Sequence, residues 1–452
     1  MKDLLSLSVE EMAGLNYKCS CGKFHSVEIE NILVGNGVIT EIGTVIKKYE
    51  GKKVFIIEDK HTYEVAGKRV EELLTANFQI NKCVFSQEHL IPDESALGRL
   101  LLEIPEDTSL ILAVGSGTIN DISRFLSYKL HIPYVIVGTA PSMDGYASVV
   151  SPLIADGVKV TYNAVYPLAI VADIDIMKQA PMNMLQAGLG DILGKYTALA
   201  DWHIANILNK EYFCGEIEKL VLSTLKKCEE AAEGVKSRDD ATVESITRAL
   251  ILSGLAIGMV GASRPASGEE HHLSHCYEMI FMNRNQPTKW LHGNNVGVGV
   301  GIIAYAYKYL KNIDINEILK KEEYLHFNKK DWEKNITEVY GRSAENIIEF
   351  KENSINFDEE ARKVNMHKII SNWDNVKKVC DNSVPEPTQI INTLKKAGAI
   401  WNPKELGLDR ELFKISFIAA KDIRNRYGIL QLLEDIGKLE EVANYITNIY
   451  YN

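Results

Sequence analysis

Apolar runs of strand length alternate with amphipathic stretches from about Lys53 to about residue 180. This alternation is typical of βαβ units around a mostly parallel sheet. The run KVFIIED predicts a strand, and the residues from there to Leu74 predict a helix. Further strands are predicted in SLILAVG, PYVIVG and PLAIVAD, the first continuing through a glycine turn into a helix. We expect an α/β nucleotide-binding domain over residues 1–180.

The chain changes character after about residue 180. Long helical patterns with few strand signals continue to the C-terminus, so we expect an all-α second domain over residues 181–452. The segment 311–386 is rich in charge and Asn, which predicts an insertion of solvated helices. Two lobes are therefore expected.

Composition excludes several classes of protein. Among 452 residues, 46% are hydrophobic and 25% charged, as in ordinary globular proteins. The net charge of -11 disfavours nucleic acid as a partner. The longest uncharged apolar stretches have 15 residues, short of the ~20 that span a bilayer, and the N-terminus lacks a secretory signal. Seven cysteines, an odd count, indicate reduced thiols. We expect a cytoplasmic protein without a membrane span.

A glycine-rich turn follows one predicted strand. Its residues Gly115, Ser116, Gly117, Thr118 and Ile119 open a helix, where backbone N–H groups and the helix dipole attract phosphate. Asn120 stands where a dinucleotide fingerprint has its third glycine, so phosphate binding and a structural turn both stay open. Asp59, at the tip of the preceding unit, is either a ribose ligand or a solvated loop acid.

Four of the 11 histidines lie within 22 residues: His271, His272, His275 and His292. Ser267 and Glu270 form a Ser-x-x-Glu capping box, which predicts a helix starting at Ser267. On that helix His271 and His275 share a face, and His272 points about 100° away. His292 opens a second, Gly-flanked helical segment.

Asp191 is predicted at the start of another helix, DILGKYTALADWHIA. Two imidazoles and one carboxylate suit a catalytic zinc-type site with an open coordination position. The alternative is that the histidines fill the core or surface and that Asp191 is a helix N-cap.

The sequence CSCGKFH near the N-terminus places Cys19 and Cys21 ahead of His25. It has the form of half a zinc knuckle, but a second cysteine pair is missing. A β-hairpin with incidental thiols is the other interpretation.

The motifs GSGTINDISRF, GTAPSMDGYAS, GLGD, SRPASGEEHHLSH, LHGNNVGVG and AKDIRNRYGILQLL together resemble those of sn-glycerol-1-phosphate dehydrogenases, especially the longer bacterial form. That family belongs to the superfamily of dehydroquinate synthase, glycerol dehydrogenase and iron-containing alcohol dehydrogenases. The resemblance covers about residues 30–310 and 419–435. It implies a dehydroquinate synthase-like fold, with an N-terminal nucleotide-binding α/β lobe, a helical C-terminal lobe and a metal in the cleft between them.

The resemblance also implies roles for individual residues. Asp191, His271 and His292 would hold a divalent metal, Zn²⁺ or Ni²⁺ ahead of Fe²⁺. Asp144, Asp191 and His275 would contact the substrate, with His275 as the catalytic residue. The residues implied to contact NAD(P) are Asp59, Gly115, Ser116, Gly117, Thr118, Ile119, Thr139, Ala140, Pro141, Ser142 and Ser148. Two features depart from the family pattern: His272 replaces an apolar residue, and the insertion near 311–386 lacks a counterpart in archaeal members.

Lys195 lies four residues after Asp191, where iron-dependent relatives carry a fourth ligand, a histidine. An ammonium group does not ligate a metal, so three protein ligands are implied. Lys195 is then either an ion-pairing group for an anionic substrate or a solvent-facing helix lysine.

The implied reaction is the reversible, NAD(P)-linked reduction of dihydroxyacetone phosphate, a phosphorylated triose, to sn-glycerol-1-phosphate. In the family this serves phospholipid biosynthesis, and a homodimer is expected by the same resemblance. The alternatives are a glycerol dehydrogenase acting on an unphosphorylated polyol, a lyase like dehydroquinate synthase, and a non-catalytic metal-dependent binding protein.

Overall fold

The computed structural model describes residues 4–155, 158–284, 286, 289–352 and 358–452. Its backbone contacts cluster into two compact units. Unit 1 comprises Met1–Ile192 and Glu216–Ser263, and unit 2 comprises Leu193–Gly215 and Arg264–Asn452. Unit 1 is an α/β structure and unit 2 is helical, which confirms the predicted fold class.

Unit 1 is built on a six-stranded parallel sheet in the order β3-β10-β7-β6-β4-β5. Two antiparallel hairpins, β1-β2 and β8-β9, accompany it. The strands are β1 (Asn16–Lys18), β2 (Phe24–Ser26), β3 (Asn31–Gly35), β4 (Lys53–Asp59), β5 (Gln79–Phe85), β6 (Thr108–Gly115), β7 (Tyr134–Gly138), β8 (Val150–Ala155), β9 (Val158–Asn163) and β10 (Ala169–Asp173). The four predicted strands are β4, β6, β7 and β10.

The helices follow the chain order through both units. Those of unit 1 are α1 (Ile42–Val45), α2 (Lys60–Thr62), α3 (Lys68–Leu74), α4 (Glu94–Glu103), α5 (Gly117–Leu130), α6 (Ile174–Met177), α7 (Met182–Leu193), α9 (Gly215–Ala231), α10 (Gly234–Ser237) and α11 (Asp240–Val260), and α8 (Lys195–Asn209) belongs to unit 2. A π-helical segment, Tyr63–Gly67, joins α2 to α3.

The remaining helices all belong to unit 2. They are α12 (Glu269–Asn283), α13 (His292–Lys311), α14 (Ile315–Lys321), α15 (Lys329–Tyr340), α16 (Ala344–Glu352), α17 (Glu359–Ser371), α18 (Trp373–Asn382), α19 (Pro387–Ala397), α20 (Arg410–Ala419), α21 (Ile429–Asp435) and α22 (Leu439–Tyr451). Their apolar faces enclose one large core.

The charged segment 311–386 contributes to that core. Trp332, Tyr340, Ile369 and Val376 are buried in the same cluster as residues of α12 and α13. The prediction of solvated helices was therefore wrong for the described part of this segment. Its charges occupy one face of amphipathic helices, and the apolar residues of the other face are too few to dominate the composition.

The strand order places a topological switch point between β4 and β6. From β4 the chain continues to β5, which pairs with one edge of β4, and then to β6, which pairs with its other edge. Ligands of open α/β sheets bind at the carboxyl ends of strands at such a point. Asp59 ends β4 and Gly115 ends β6, so both predicted nucleotide-binding positions lie at this edge.

One described helix, Asp240–Val260, is long and apolar enough to cross a membrane by length and composition alone. Its most apolar stretch is 72% buried inside the protein, as in the core helix of a globular domain. This helix therefore gives little support for a membrane span.

Glu58, near the end of β4, is a buried acid whose Oε2 atom has no hydrogen-bond partner within the described residues. Burial raises its pKa to about 7, with Lys82 opposing that rise. The folded state therefore holds a proton that the unfolded chain releases above about pH 4.5, so stability falls as pH rises from there to about 7.

We predict that Glu58→Gln stabilises the fold by roughly 3 kcal/mol at pH 8 and changes it little near pH 4.5. Denaturant unfolding at both pH values checks this, with Glu72→Gln, an exposed helix acid, as the control. Equal unfolding midpoints for wild type and Glu58→Gln at pH 8 would contradict it.

Candidate active site

The start of α12 differs from the predicted capping box. The helix begins at Glu269, with Gly268 as N-cap and no side-chain cap from Ser267. The Glu270 carboxylate accepts hydrogen bonds from the Gly268 N–H (2.7 Å) and from the Thr197 hydroxyl (2.6 Å). A Cβ atom at Gly268 would lie 2.6 Å from an Asp201 oxygen, so the tight approach requires glycine.

Three of the four histidines, His271, His275 and His292, lie close together. Helices α12 and α13 cross closely. A Cβ at Gly299 would lie 2.8 Å from the Glu270 carbonyl oxygen, so the glycine makes this close crossing possible. The His292 ring, at the first residue of α13, is 5.2 Å from the His271 ring and 5.0 Å from the His275 ring, measured between centroids.

His272 has a different environment. Its Nδ1 lies 2.7 Å from Glu269 Oε2, and its Nε2 is buried without a hydrogen-bond partner in the described chain. Burial, with nearby Arg424 and Arg426, holds the pKa of His272 well below its usual value. This imidazole is neutral and belongs to the interior.

Carboxylates face the Nδ1 atoms of all three clustered imidazoles. Glu270 Oε1 lies 2.7 Å from His271 Nδ1, and the two oxygens of Glu278 lie 2.8 Å from His292 Nδ1 and 3.3 Å from His275 Nδ1. An ionised carboxylate can only accept a hydrogen bond, so we place a proton on each Nδ1. Each Nε2 then keeps its lone pair. Glu278 was not among the residues predicted from the sequence, although its place three residues after His275 puts it on the same helix face.

This arrangement fits a divalent metal. Neutral imidazoles whose Nδ1–H groups donate to carboxylates are the usual metal-ligating histidines. Burial acts to raise the pKa of Glu270, but the hydrogen bond from His271 leaves it below its usual value, so Glu270 stays ionised. Donor atoms of His275, Glu278 and His292 lie within 4.8 Å of one another, a group that does not include His271. The Glu278 oxygens face Nδ1 atoms, so we assign its contacts as hydrogen bonds.

Arg424 lies beside His275. Its Nη2 is 3.0 Å from His275 Nε2, and because a guanidinium only donates, that nitrogen accepts. Its Nη1 lies 3.5 Å from the Ser267 hydroxyl. Burial lowers the pKa of Arg424, and it lowers that of Arg426 to about 9. Two partly desolvated cations therefore lie in this part of unit 2.

In unit 1, Asp191 lies in the last turn of α7 rather than at a helix start, so both its predicted position and the N-cap alternative were wrong. Its Oδ2 accepts the Asp144 N–H at 3.0 Å, and Asp144 in turn accepts from the Ser253 hydroxyl at 2.8 Å. A Cβ at Gly188 would lie 1.9 Å from the Pro141 carbonyl oxygen. The glycine thus allows α7 to approach the loop that carries Asp144.

Lys195 begins α8 in unit 2 and is fully buried. The interpretation of Lys195 as a solvent-facing helix lysine was therefore wrong.

The predicted nucleotide-binding residues follow neighbouring strands of the sheet. Gly115 lies opposite Gly138, and the Thr139 N–H donates to the Gly115 carbonyl at 3.1 Å. A Cβ at Gly115 would lie 2.6 Å from Ile119 Cβ, so only glycine permits this turn. Asn120, which takes the place of the third fingerprint glycine, is buried. Its side chain donates to the Gly145 carbonyl at 3.1 Å and so holds the loop that carries Gly145 against α5. Thr139, Ala140, Ser142 and Ser148 are all buried.

Asp59 caps the short helix α2. Its Oδ1 accepts from the N–H groups of His61 (2.8 Å) and Thr62 (2.9 Å). These bonds fix the carboxylate at the carboxyl end of β4.

Known proteins include sequence relatives of this chain. A family model described as iron-containing alcohol dehydrogenase matches residues 33–181. A glycerol-1-phosphate dehydrogenase of Halalkalibacterium halodurans is 39% identical over 311 residues, 68% of this chain and 76% of the relative. One from Geobacillus thermodenitrificans is 31% identical over 441 residues, 96% of this chain and 100% of the relative.

Solved structures share the fold. The crystal structure of glycerol dehydrogenase from Schizosaccharomyces pombe matches with a TM-score of 0.59 and 15% identity, covering 92% of this chain and 90% of that one. At this identity the likeness concerns the architecture alone.

Proposed function

Because this chain belongs to the family of glycerol-1-phosphate dehydrogenases, we propose that it catalyses the reversible NAD(P)-linked, metal-dependent reduction of dihydroxyacetone phosphate to sn-glycerol-1-phosphate. The observation that carries this proposal is the 31% identity along the whole length of the Geobacillus relative. The clustered imidazoles of His271, His275 and His292 support it.

His271 and His292 bind the metal through Nε2 in this proposal, with Glu270 and Glu278 fixing their ring orientations. Asp191 is the third ligand, on the family resemblance. When bound, a divalent cation acts as a Lewis acid that polarises a substrate oxygen. Histidine and carboxylate donors suit Zn²⁺ or Ni²⁺.

The nucleotide binds at the switch point of unit 1. The glycine turn Gly115–Ile119 and the loop Thr139–Ser142, with Ser148, would contact its phosphates and nicotinamide, and Asp59 would contact the ribose. The cofactor supplies or accepts the hydride. A carboxylate at Asp59 repels a 2′-phosphate, which favours NAD over NADP.

Unit 2 offers cations for the substrate phosphate. Within the described chain Arg424 forms no ion pair with a carboxylate, and its charge lies next to His275. An anionic substrate compensates that partly buried charge better than water does. We assign Arg424 and Lys195 to the phosphate and Asp144 to the substrate hydroxyl groups.

His275 handles the proton. In the oxidative direction it accepts the hydroxyl proton at Nε2, and Glu278 stabilises the resulting imidazolium through Nδ1. In the reductive direction the same atom returns the proton.

We predict that Lys195→Met raises the KM for dihydroxyacetone phosphate at least 10-fold and leaves the KM for unphosphorylated dihydroxyacetone nearly unchanged, since one charge-assisted contact contributes about 1.5–3 kcal/mol. Steady-state kinetics with both ketones measures this. Lys210→Met, at the C-terminus of the same helix, is the control. An unchanged KM for the phosphorylated ketone would remove Lys195 from the site.

The proposed reaction is tested by NADH oxidation with dihydroxyacetone phosphate, on metal-stripped protein reconstituted with one metal at a time, with chiral analysis of the product. Turnover of glycerol in place of the phosphorylated substrate would indicate a polyol dehydrogenase. A dehydroquinate synthase-like lyase would show no net change in NADH. We also propose that the protein acts in the cytoplasm, assembles as a homodimer and serves phospholipid biosynthesis.

A further inference from the structure

The N-terminal hairpin, β1 and β2, ends in a turn that carries two thiols. The Cys19 N–H donates to the Lys23 carbonyl at 3.0 Å, and the Gly22 N–H donates to the Cys19 carbonyl at 3.1 Å. Gly22 has a φ of +90°, which favours glycine. The predicted hairpin is thus present, and its turn brings Cys19, Cys21 and His25 together.

The distance between Cys21 and His25 matches that between two ligands of a tetrahedral zinc ion, and Cys19 lies nearby. Cys21 Sγ lies 3.5 Å from His25 Nε2, and the donor atoms of Cys19, Cys21 and His25 all lie within 4.8 Å of one another. Zn–S bonds of about 2.3 Å and Zn–N bonds of about 2.05 Å put tetrahedral S and N donors about 3.6 Å apart and two sulfurs about 3.8 Å apart. Cys21 and His25 therefore already stand at ligand spacing.

His25 is oriented as a metal ligand. Its Nδ1 lies 2.7 Å from the Met259 carbonyl oxygen, which can only accept, so Nδ1 carries the proton. The lone pair is then on Nε2, the atom that faces Cys21. Metal-ligating histidines usually donate their other N–H to a carbonyl or carboxylate in this way. His25 is fully buried, so this orientation is held by the fold.

The turn is held in place before any ion binds. The Cys21 N–H donates to Cys19 Sγ at 3.5 Å, which links the two cysteines within the turn. Glu216 accepts hydrogen bonds from the N–H (3.2 Å) and hydroxyl of Ser20 and from the hydroxyl of Tyr17. These bonds tie the turn to Glu216 on α9.

We propose that Cys19, Cys21 and His25 bind one structural Zn²⁺ ion, distinct from the metal assigned to His271 and His292. Two thiolates and an imidazole are donors that suit Zn²⁺. Binding releases the two thiol protons and links the hairpin through His25 to the Met259 carbonyl on α11.

Zinc content measured by mass spectrometry in the purified double variant His271→Ala/His292→Ala tests this proposal apart from catalysis. We expect one zinc per chain, lost when Cys19→Ser and Cys21→Ser are added and retained with Cys83→Ser, a buried control cysteine. Absence of zinc from the double variant, or equal zinc with and without Cys19 and Cys21, would overturn the proposal.

Cobalt substitution in the double variant gives a second readout that does not depend on how the cysteine variants fold. Thiolate-to-cobalt charge transfer produces near-ultraviolet absorption whose intensity scales with the number of sulfur ligands. We expect at least two thiolates per bound Co²⁺. A cobalt spectrum without thiolate bands would refute the site even if metal binds.

Discussion

His271→Ala and His292→Ala are each expected to abolish turnover and to remove the proposed catalytic metal. Each substitution deletes an Nε2 donor of the ligand set, and neither alanine offers a replacement. The two rings lie on different helices, 5.2 Å apart, so neither can take the place of the other. Metal analysis and steady-state NADH oxidation on the same preparation measure both effects. Metal bound at the hairpin is counted separately, in parallel samples that carry Cys19→Ser and Cys21→Ser.

His272→Ala is the matched control for metal content. This residue is adjacent to His271 on α12 and equally buried, but its Nδ1 faces Glu269 and it lies away from the cluster. We expect it to lower stability and leave the metal bound.

Glu278→Gln gives an intermediate case, with metal affinity about 10- to 100-fold weaker, because Glu278 orients ligands without binding the ion. A full metal complement in His271→Ala or His292→Ala would refute the ligand assignment.

The fold could be predicted because its strands are continuous apolar runs. Strand β4 has the bounds expected from KVFIIED, since a central parallel strand is buried on both faces. Helix α13 begins at His292 as expected. The hairpin β8-β9 was not singled out, because buried and half-buried residues alternate along β8 instead of forming one continuous buried run.

The site was predictable where its residues share one helix. The face common to His271 and His275 follows from helical periodicity alone. The roles of Glu270 and Glu278 depend on contacts between elements. Glu270 bonds to Thr197, 73 residues away, so the capping box that local sequence favours does not form.

His275→Ala is expected to keep the metal and to lower turnover by about 100-fold or more, the usual contribution of a general acid-base group. Of the three clustered imidazoles, His275 is the one whose Nε2 accepts from Arg424, so its lone pair is directed at the group assigned to the substrate phosphate. The contact with Glu278 supports a charged imidazole.

A purely structural role for His275 is distinguished by the pH profile of kcat. Loss of the group that accepts the proton should flatten the acidic limb in the oxidative direction, whereas a packing defect would lower activity equally at every pH. His203→Ala, on α8 with its ring against Phe213, is the control for removing an imidazole from unit 2. If His275→Ala kept wild-type turnover, or lost activity with an unchanged pH profile, the proton would have to be handled elsewhere, and the carboxylate of Glu278 would serve only to orient His292.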